Sequence, residues 1–302
     1  MKRLPQIGVL ADGRRLHLQD GPIDLIVEAH GSEKGLRAAY RAAVGRFTGL
    51  LDELCEELPL LRQAADSRAC SLKGVVARRM YAAVAPFARE HFITPMAAVA
   101  GSVAEEILGA MLDEASLDRA YVNNGGDIAL HLSENQQFTV ALMDRPDRFG
   151  LMRTMIIDAS EVSRGVATSG RHGRSFSLGI ADAVTVLART AAQADAAATI
   201  IANAVDLPGH PAIVRAPAQD LQPDSDLGAR LVTREVGFLA EFELAAALSA
   251  GCEKARTLLA AGLIDGAALH LQGEMRVIAL KRLGASVSNG MRPEKIESLI
   301  HA

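Results

Sequence analysis

The sequence predicts an α+β protein, a layered α/β domain in which a largely antiparallel sheet packs on helices. Strand-like runs follow one another through short turns instead of alternating one to one with helices, which argues against a Rossmann sheet. Apolar residues recur every three or four positions in other segments, which indicates amphipathic helices. With 302 residues, 49% of them hydrophobic, and a mean hydropathy of +0.15, the chain can bury a large core.

The first strands are expected within residues 6–30. Apolar residues alternate there, and the turn-forming pairs Asp12-Gly13 and Asp20-Gly21 separate the runs. We therefore expect a hairpin or a meander at the start of the chain.

Helices are expected next. Apolar residues recur every three or four positions over residues 36–58, which predicts one amphipathic helix ending at Pro59. Residues 62–91 hold six Lys/Arg against two acidic residues, with Arg78-Arg79 inside an apolar helical pattern. Another helix is expected from Pro95, with Glu105-Glu106 on its solvent side.

The middle of the chain returns to strands. Short β-favouring runs are separated by turn residues, and they cover residues 120–122, 128–132, 138–143, 155–157 and 184–188. An alanine-rich helix is expected over residues 190–205. Residues 206–230 are rich in proline and glycine and are predicted to be a loop or linker.

The C-terminal part, residues 231–302, is predicted to be an extension packed on the rest of a single domain. Its pattern indicates helices around residues 239–248 and 254–263. A closing hairpin is expected over residues 267–280, with its turn at Gly273.

Charge and aromatic content limit the partners. The formal net charge is −4, aromatic residues make up 4% and there is no Trp, so the chain has neither a global positive field nor stacking platforms for nucleic acid. We expect a small-molecule ligand and no nucleic-acid partner. The low charge and alanine-rich surface permit a homo-oligomer without requiring one.

Cysteine usage and targeting signals predict a cytoplasmic protein. The three cysteines, Cys55, Cys70 and Cys252, are widely spaced and form no C-x-x-C pair, so neither a disulfide framework nor a cysteine zinc site is indicated. The N-terminus has no apolar stretch of signal-peptide length, and no later window is an unbroken run of about 18 apolar residues. We expect no membrane partner.

Two glycine-containing segments could bind an anion. In Asn123-Asn124-Gly125-Gly126-Asp127, adjacent glycines can expose backbone N–H groups to a phosphate, although Asn-Gly is also a strong hairpin signal. In residues 164–170, the hydroxyls of Thr168 and Ser169 and the close approach allowed by Gly170 suit a phosphate or ribose, and a simple strand-end turn explains them equally.

A third segment could hold a metal ion. Asp195 and Thr199 are four residues apart in the alanine-rich helix, so their oxygens project from the same face. Mg²⁺ takes oxygen ligands, often only one or two from protein. The alternative is a solvated Asp, with Thr199 bonded back to its own helix.

The order of these segments resembles the ApbE-like superfamily, the FAD:protein FMN transferases. That family has an Asn-x-Gly-Gly turn, a Gly-x-x-Ala-Thr-Ser-Gly segment, a Ser-Val-Thr-Val-like strand and a helix with Ala-Asp-x-x-x-Thr. The counterparts here are residues 123–127, 165–170, 183–186 and 194–199. Ala100-Gly101-Ser102 is similar to the family's Ala-Lys-Gly helix start.

The closest resemblance is to a shorter, uncharacterised cytoplasmic branch of that superfamily. Its Thr-Pro-Met-Ala-Ala-Val-Ala-Gly and Val-Ala-Arg-Arg-Met strings occur at residues 94–101 and 76–80. The resemblance covers nearly the whole chain, and it implies one ApbE-like domain over residues 1–302 with a T-fold-like architecture.

The resemblance also implies ligands. In the transferases Mg²⁺ lies between the FAD diphosphate and a helix Asp and Thr, and it assists attack by a protein threonine hydroxyl on the phosphate next to FMN. Asp195 and Thr199 would be the metal ligands, and the implied cofactors are Mg²⁺ and FAD or FMN. The residues lining the flavin nucleotide would be Gly101, Ser102, Asn124, Gly125, Gly126, Asp127, Thr168, Ser169 and Gly170.

Departures from the family pattern keep other functions open. The chain lacks the His-x-x-Asp-Pro-x-Thr-Gly stretch of the transferases and the Lys of Ala-Lys-Gly, and His172 is interpreted as a surface loop residue. One alternative is a different metabolic enzyme on the same scaffold, acting in sulfur or amino-acid metabolism, with Arg78 or Arg79 binding an anion. Another is a non-catalytic ligand-binding or interaction protein.

Overall fold

The computed structural model describes residues 4–66, 70–142, 153–280 and 300–301. The chain divides into two compact units. The first comprises Met1–Gln137, Ile157–Val166 and Arg189–Ala194, and the second comprises Phe138–Ile156, Ala167–Ala188 and Asp195–Ala302.

Strands of the first unit form an antiparallel sheet. Its neighbouring strands follow the order β1-β2-β3-β4-β5-β8. Their bounds are β1 Gln6–Val9, β2 Leu16–Asp20, β3 Ile23–His30, β4 Arg119–Asn124, β5 Asp127–Leu132 and β8 Gly165–Ser169. The predicted meander over residues 6–30 is confirmed, because β1, β2 and β3 pair in sequence.

Helices cover one face of this sheet. They are α1 Glu33–Phe47, α2 Leu50–Glu56, α3 Leu58–Leu61, α4 Val75–Val84, a 3-10 turn Pro95–Ala98 and α5 Val99–Glu114. Buried residues alternate along β2 and β3, as in a sheet with one face on the core. Leu18 and Leu25 of the sheet share one core with Phe47, Ile107 and Met111 of the helices.

The predicted helix over residues 36–58 is interrupted. α1 begins at Glu33, where the Ser32 side chain accepts a hydrogen bond from Gly35 N–H at 3.1 Å, and α1 ends before Gly49. Gly49 has φ +88°, a left-handed conformation that breaks a right-handed helix, so α2 starts as a separate helix at Leu50. The apolar periodicity continues across the break, which is why the sequence predicts a single helix.

Gly165 and Val166 of β8 belong to the first unit, and the rest of β8 belongs to the second. In the second unit the strand order is β8-β9-β12-β13, with β9 Ala183–Ala188, β12 Gly266–Leu271 and β13 Glu274–Ile278. β12 is antiparallel to both β9 and β13. A second group of strands has the order β14-β6-β7, with β6 Gln137–Leu142, β7 Arg153–Asp158 and β14 Ile300–His301. Met143, the last residue of one predicted strand, lies outside the described residues.

Three helices and an antiparallel strand pair also belong to the described part of the second unit. The helices are α6 Ala191–Ala204, whose first turn belongs to the first unit, α7 Ala218–Leu221 and α8 Glu241–Ala260. β10 Ile213–Pro217 pairs with β11 Leu231–Val236, so the segment 206–230 contains a strand and a short helix as well as loops.

Two predicted C-terminal helices are one helix, α8, which continues through Gly251. A Cβ at Gly251 would lie 2.3 Å from Val205 Cγ2 and 2.7 Å from Leu269 Cδ2, so glycine is needed for packing there rather than for a turn.

The predicted fold class is confirmed as α+β, with a large antiparallel sheet packed against helices. Within the described residues one helical stretch, Pro95–Glu114, is long and apolar enough to cross a membrane, and half of that stretch is buried inside the protein. The core helix of a soluble protein passes the same test, and Val103, Ile107 and Met111 of α5 are core residues.

Candidate functional site

The glycine turn at residues 123–127 is a tight hairpin between β4 and β5. Gly125 and Gly126 have φ +66° and +109°, conformations that favour glycine. The side-chain oxygen of Asn123 accepts a hydrogen bond from Gly126 N–H at 2.8 Å. The hairpin interpretation is therefore confirmed, and one of the N–H groups expected to face an anion already has a partner within the turn.

Asn124 connects this turn to the beginning of α5. Its side chain is 7% exposed, and its Nδ2 donates to the Ala100 carbonyl at 3.2 Å. The next residue of α5, Gly101, is buried against the start of α6, since a Cβ at Gly101 would lie 2.3 Å from the Ala191 carbonyl oxygen. The close approach at this small-residue turn is thus made by protein backbone.

Ser102 is fully buried in the same turn of α5. Its hydroxyl has no hydrogen-bond partner in the part of the chain that the structure describes, which is uncommon for a buried polar group. The Ser102 carbonyl accepts from Arg79 Nη1 at 3.1 Å. Of the predicted positions in the first unit, the structure therefore brings Asn124, Gly101 and Ser102 to one region at the beginning of α5.

A charged network lies along α5, where the sequence predicts solvent. Arg79 donates to Glu106 Oε2 at 2.9 Å and lies 3.3 Å from Glu105, while Arg46 donates to Glu106 Oε1 at 2.7 Å. The side chains of Glu105 and Glu106 are only 20% and 14% exposed, so the prediction that they mark the solvent side is wrong. Their negative charges are neutralised by arginines that approach from α1 and α4.

This network bears on the prediction that Arg78 or Arg79 binds an anion. Arg79 is occupied by two carboxylates, so it is not placed to bind an external anion. Arg78 is exposed, and it donates to the Lys73 carbonyl. Burial alone would raise the pKa of the Glu106 carboxyl, but the hydrogen bonds from Arg46 and Arg79 outweigh it and hold that pKa below its ordinary value.

In the second unit, the segment that ends at Gly170 is packed closely on β9. Thr168 and Ser169 are half-buried, and the Thr168 hydroxyl lies 2.8 Å from the Thr185 hydroxyl. A Cβ at Gly170 would lie 2.4 Å from the Asp182 carbonyl oxygen. Glycine is required at this position by close packing whether or not a ligand binds.

Asp182, which sequence reasoning missed, is a buried carboxylate whose side chain contacts Arg171, His172 and Gln272. It is 6% exposed and lies 2.6 Å from Arg171 Nη2 and 3.2 Å from His172 Nε2. Its second oxygen accepts from Gln272 N–H at 2.5 Å. His172 lies in a loop and is partly exposed, as interpreted from sequence, and it also contacts this buried carboxylate. Ala181 and Asp182 directly precede β9, and no sequence pattern around them predicts these contacts.

The predicted metal ligands lie on a polar stripe of α6. Asp195 and Thr199 are partly buried and one helical turn apart, and Asn203 follows one turn later. The neighbouring alanines 194, 196, 197 and 198 are completely buried. The described residues contain no group of three or more His, Cys, Asp or Glu side chains that could hold a metal. A cation at Asp195 and Thr199 would therefore need further ligands from water or from a bound phosphate.

A groove of about 560 Å³ lies between α1 and α5, lined by Ala38, Arg41, Ala110 and Asp113 among others. None of the predicted ligand-binding residues lines it.

A family model described as "AbpE bacteria" matches residues 7–277. The chain belongs to this family. The match extends from β1 into β13 and so includes every residue that the sequence analysis selected as a binding position. It agrees with the ApbE-like resemblance at the level of the family.

Relatives of this family member include archaeal UPF0280 proteins. The chain is 39% identical over 113 residues to one from Methanothrix thermoacetophila, which is 37% of this chain and 46% of the relative. It is 40% identical over 129 residues to one from Methanopyrus kandleri, which is 42% of this chain and 48% of the relative. The chain spans about half the length of the curated relatives it matches. Their names state no activity.

Proposed function

We propose that this family member binds FAD, FMN or a related nucleotide, together with Mg²⁺ held by Asp195 and Thr199. The observation that carries the proposal is the polar stripe of α6. A carboxylate and a hydroxyl are only partly buried there, on a helix whose surrounding alanines are completely buried.

The donor set fits a hard cation. Mg²⁺ prefers oxygen ligands, keeps several waters and is commonly bound by one or two protein groups together with substrate phosphates. Bound there, Mg²⁺ would neutralise negative charge on a phosphate and so allow a chain of net charge −4 to accept an anionic ligand. Asp195 would supply the charge, and Thr199 would supply a neutral oxygen on the same helix face.

Residues that end β8 support a ligand in the same unit. The Thr168 hydroxyl lies 2.8 Å from the Thr185 hydroxyl, and a hydroxyl is a group that can both donate to and accept from a phosphate or ribose. Ser169, also half-buried, lies beside it. Asn124, Gly125, Gly126, Asp127, Gly101 and Ser102 in the first unit remain predicted lining positions.

FMN transfer is the activity that the family relationship favours. In that reaction the hydroxyl oxygen of a target threonine would attack the FMN phosphate of FAD, lose its proton and release AMP as the leaving group. The chain's part would be to position the two phosphates and to hold the cation.

The test is calorimetric titration of the full chain with FAD, FMN and AMP, with and without Mg²⁺. Wild-type protein should bind at least one of the three with Mg²⁺ present, and Asp195→Ala should weaken binding about tenfold or more. Asp220→Ala, which removes an exposed carboxylate from α7 of the same unit, is the matched control and should leave affinity unchanged. No binding by the wild type, or equal binding by Asp195→Ala, overturns the proposal.

Native mass spectrometry of protein purified without added cofactor separates the alternatives. A copurified flavin or nucleotide supports the proposal. A different bound anion indicates another metabolic enzyme, in sulfur or amino-acid metabolism, on the same scaffold. An empty protein that also binds none of the three nucleotides indicates an interaction protein.

A further inference from the structure

β1 is an exposed strand at one end of the antiparallel sheet of the first unit. It covers Gln6–Val9 and pairs on one side with β2. In the part of the chain that the structure describes, no strand pairs with its other side. All four residues of β1 are exposed, and the exposed fractions of Ile7 and Val9 are 49% and 65%. A strand edge of this kind is a template for pairing with another strand.

The pairing with β2 determines which backbone groups of β1 face outward. Leu10 N–H donates to the Arg15 carbonyl at 2.8 Å, one position beyond Val9 in the same register. Hydrogen-bonded and non-hydrogen-bonded pairs alternate along an antiparallel ladder. The N–H and C=O groups of Gly8 therefore point toward β2, and those of Ile7 and Val9 point away from it. The outer edge of β1 offers two donors and two acceptors to another strand.

The side chains of Ile7 and Val9 extend the face of the sheet that the helices cover. Ile7 is opposite Leu18 and Val9 is opposite Leu16, and both of these β2 residues belong to the core. Opposite residues of an antiparallel pair share one face of the sheet. The apolar face therefore continues beyond the core onto two exposed side chains, which a further strand with its own apolar side chains would cover.

β1 has none of the charges by which proteins commonly prevent edge-to-edge pairing. Charged residues, especially Lys, protect edge strands in natural sheets. β13, the last strand of the order in the second unit, contains Glu274 and Arg276. Residues 4–10, by contrast, contain no charged side chain. Pro5, which also protects strand edges, comes before β1 and leaves the outward N–H groups of the strand intact.

Gly8 lies within β1 without a requirement for glycine inside the chain. A Cβ at Gly8 would meet no described atom within 4 Å, and its φ lies outside the left-handed region. Glycine in the interior of a strand weakens the strand, and it often marks a place where another backbone approaches closely. An approaching strand would give this glycine a role that the fold of one chain does not.

We propose that β1 pairs antiparallel with β1 of a second copy of this chain, about a two-fold axis that passes between the two copies of Gly8. Ile7 of each copy is then opposite Val9 of the other, and their outward groups form four hydrogen bonds. A pair centred on Ile7 would place Val9 opposite Pro5, which has no N–H. A pair centred on Val9 would place Ile7 opposite Ala11, which lies outside the strand.

This arrangement uses all the features of the edge. The outward backbone groups are paired, and the side chains of Ile7 and Val9 from both copies lie side by side on one face of a continuous sheet. Because the contact is two-fold symmetric, it closes at a dimer. None of the residues proposed to bind the nucleotide or Mg²⁺ lies in β1, so the dimer and the proposed function are tested separately.

The first experiment measures the molar mass of the full chain by size-exclusion chromatography with light scattering, at concentrations from about 1 to 100 µM. Wild-type protein should reach twice the 31.9 kDa of one chain. Ile7→Lys and Val9→Lys each place a charge on the edge and should weaken dimerisation about tenfold or more. Val162→Lys is the matched control, because Val162 is 63% exposed in the first unit, and it should leave the dimer intact.

The second experiment tests the register by cross-linking. The exposed thiols are first removed by Cys55→Ser and Cys70→Ser. Gly8→Cys should then form a disulfide between copies on oxidation, because opposite residues of a non-hydrogen-bonded pair have Cα atoms about 4.5 Å apart, within the range of a disulfide. Gln6→Cys is the control on the same strand. Its two copies would be four residues apart along the strands, on the order of 13 Å, and should not cross-link.

Three results overturn the inference. The first is a wild-type chain that is monomeric at every concentration, whether its edge stays in water or accepts a strand of another protein. The second is an oligomer that Ile7→Lys and Val9→Lys leave unchanged, which would place the interface elsewhere. The third is equal cross-linking of Gly8→Cys and Gln6→Cys on non-reducing electrophoresis, which is the outcome of random collision between exposed thiols.

Discussion

The carboxylate of Glu105 accepts a hydrogen bond of 2.7 Å from the backbone N–H of Ala192. Ala192 is in the first turn of α6, where a helix cannot satisfy its own N–H groups, and Thr190 accepts from the next N–H at 3.3 Å. A carboxylate on α5 therefore supplies a cap that the local sequence of α6 provides only in part. Its negative charge also interacts favourably with the helix dipole.

Loss of this cap should be measurable. We predict that Glu105→Ala lowers the free energy of unfolding by about 1 kcal/mol, as removal of a helix cap commonly does. Glu105→Gln should cost less, because the amide oxygen can still accept the hydrogen bond. Glu114→Ala, at the exposed end of α5, is the control, and urea unfolding is the measurement. Equal stability of Glu105→Ala and the control would contradict the cap.

Two glycines of α5 should respond to alanine in opposite directions. A Cβ at Gly101 would lie 2.3 Å from the Ala191 carbonyl oxygen, so Gly101→Ala should destabilise the protein by about 2 kcal/mol or more. Gly109 has open space beside it, and Gly109→Ala should stabilise the protein by about 0.5–1 kcal/mol because alanine is the better helix former. Thermal unfolding of both variants tests this pair. A stable Gly101→Ala protein would contradict the close approach of the two backbones.

Element type was predictable wherever apolar periodicity follows local geometry. Strands β1 to β3 follow from alternation, and helices α1 and α5 follow from a period of three to four. Strands β4 and β5 follow from β-favouring runs between turns, and α6 follows from its alanine content. The helix break at Gly49 and the continuation of α8 through Gly251 were not predictable. One glycine adopts φ +88° and the other makes room for Val205 and Leu269, and the sequence pattern around them does not distinguish these two uses.

The candidate site was predictable to a smaller degree, because its main contacts join residues far apart in sequence. The hairpin turn at Gly125-Gly126 and the shared face of Asp195 and Thr199 follow from local rules. The pairing of Glu105 with a residue 87 positions away does not, and neither does the bond between Asp182 and Gln272. A polar residue in a strand or helix gives no sign of its distant partner until the fold is known.

The three cysteines should differ in reactivity. Cys55 and Cys70 are exposed, whereas Cys252 is buried and its burial raises the pKa of the thiol. We predict that a thiol reagent modifies two cysteines of the native protein quickly and the third only after unfolding in urea. The Cys252→Ala variant identifies the slow thiol, since it should show only the fast phase. Rapid modification of all three in the native protein would contradict the packing of α8.

Because of the ion pairs of Glu106, the free energy of unfolding should fall on acidification. Hydrogen bonds from Arg46 and Arg79 hold the folded-state pKa below the ordinary value of 4.5. The carboxylate therefore contributes stability that is fully present above that value and is lost as the pH falls through the lower folded-state pKa.

Glu106→Gln removes this contribution. We predict a loss of about 2 kcal/mol at pH 7, and a difference from wild type that shrinks as the pH is lowered below 4.5. Urea unfolding of both proteins across this range measures the difference, and Glu253→Gln on the exposed face of α8 controls for the loss of one negative charge. A difference that stays constant or grows on acidification would mean that the two arginines do not stabilise the ionised carboxylate. In that case the neutralisation of Glu106 on α5 would have to come from elsewhere.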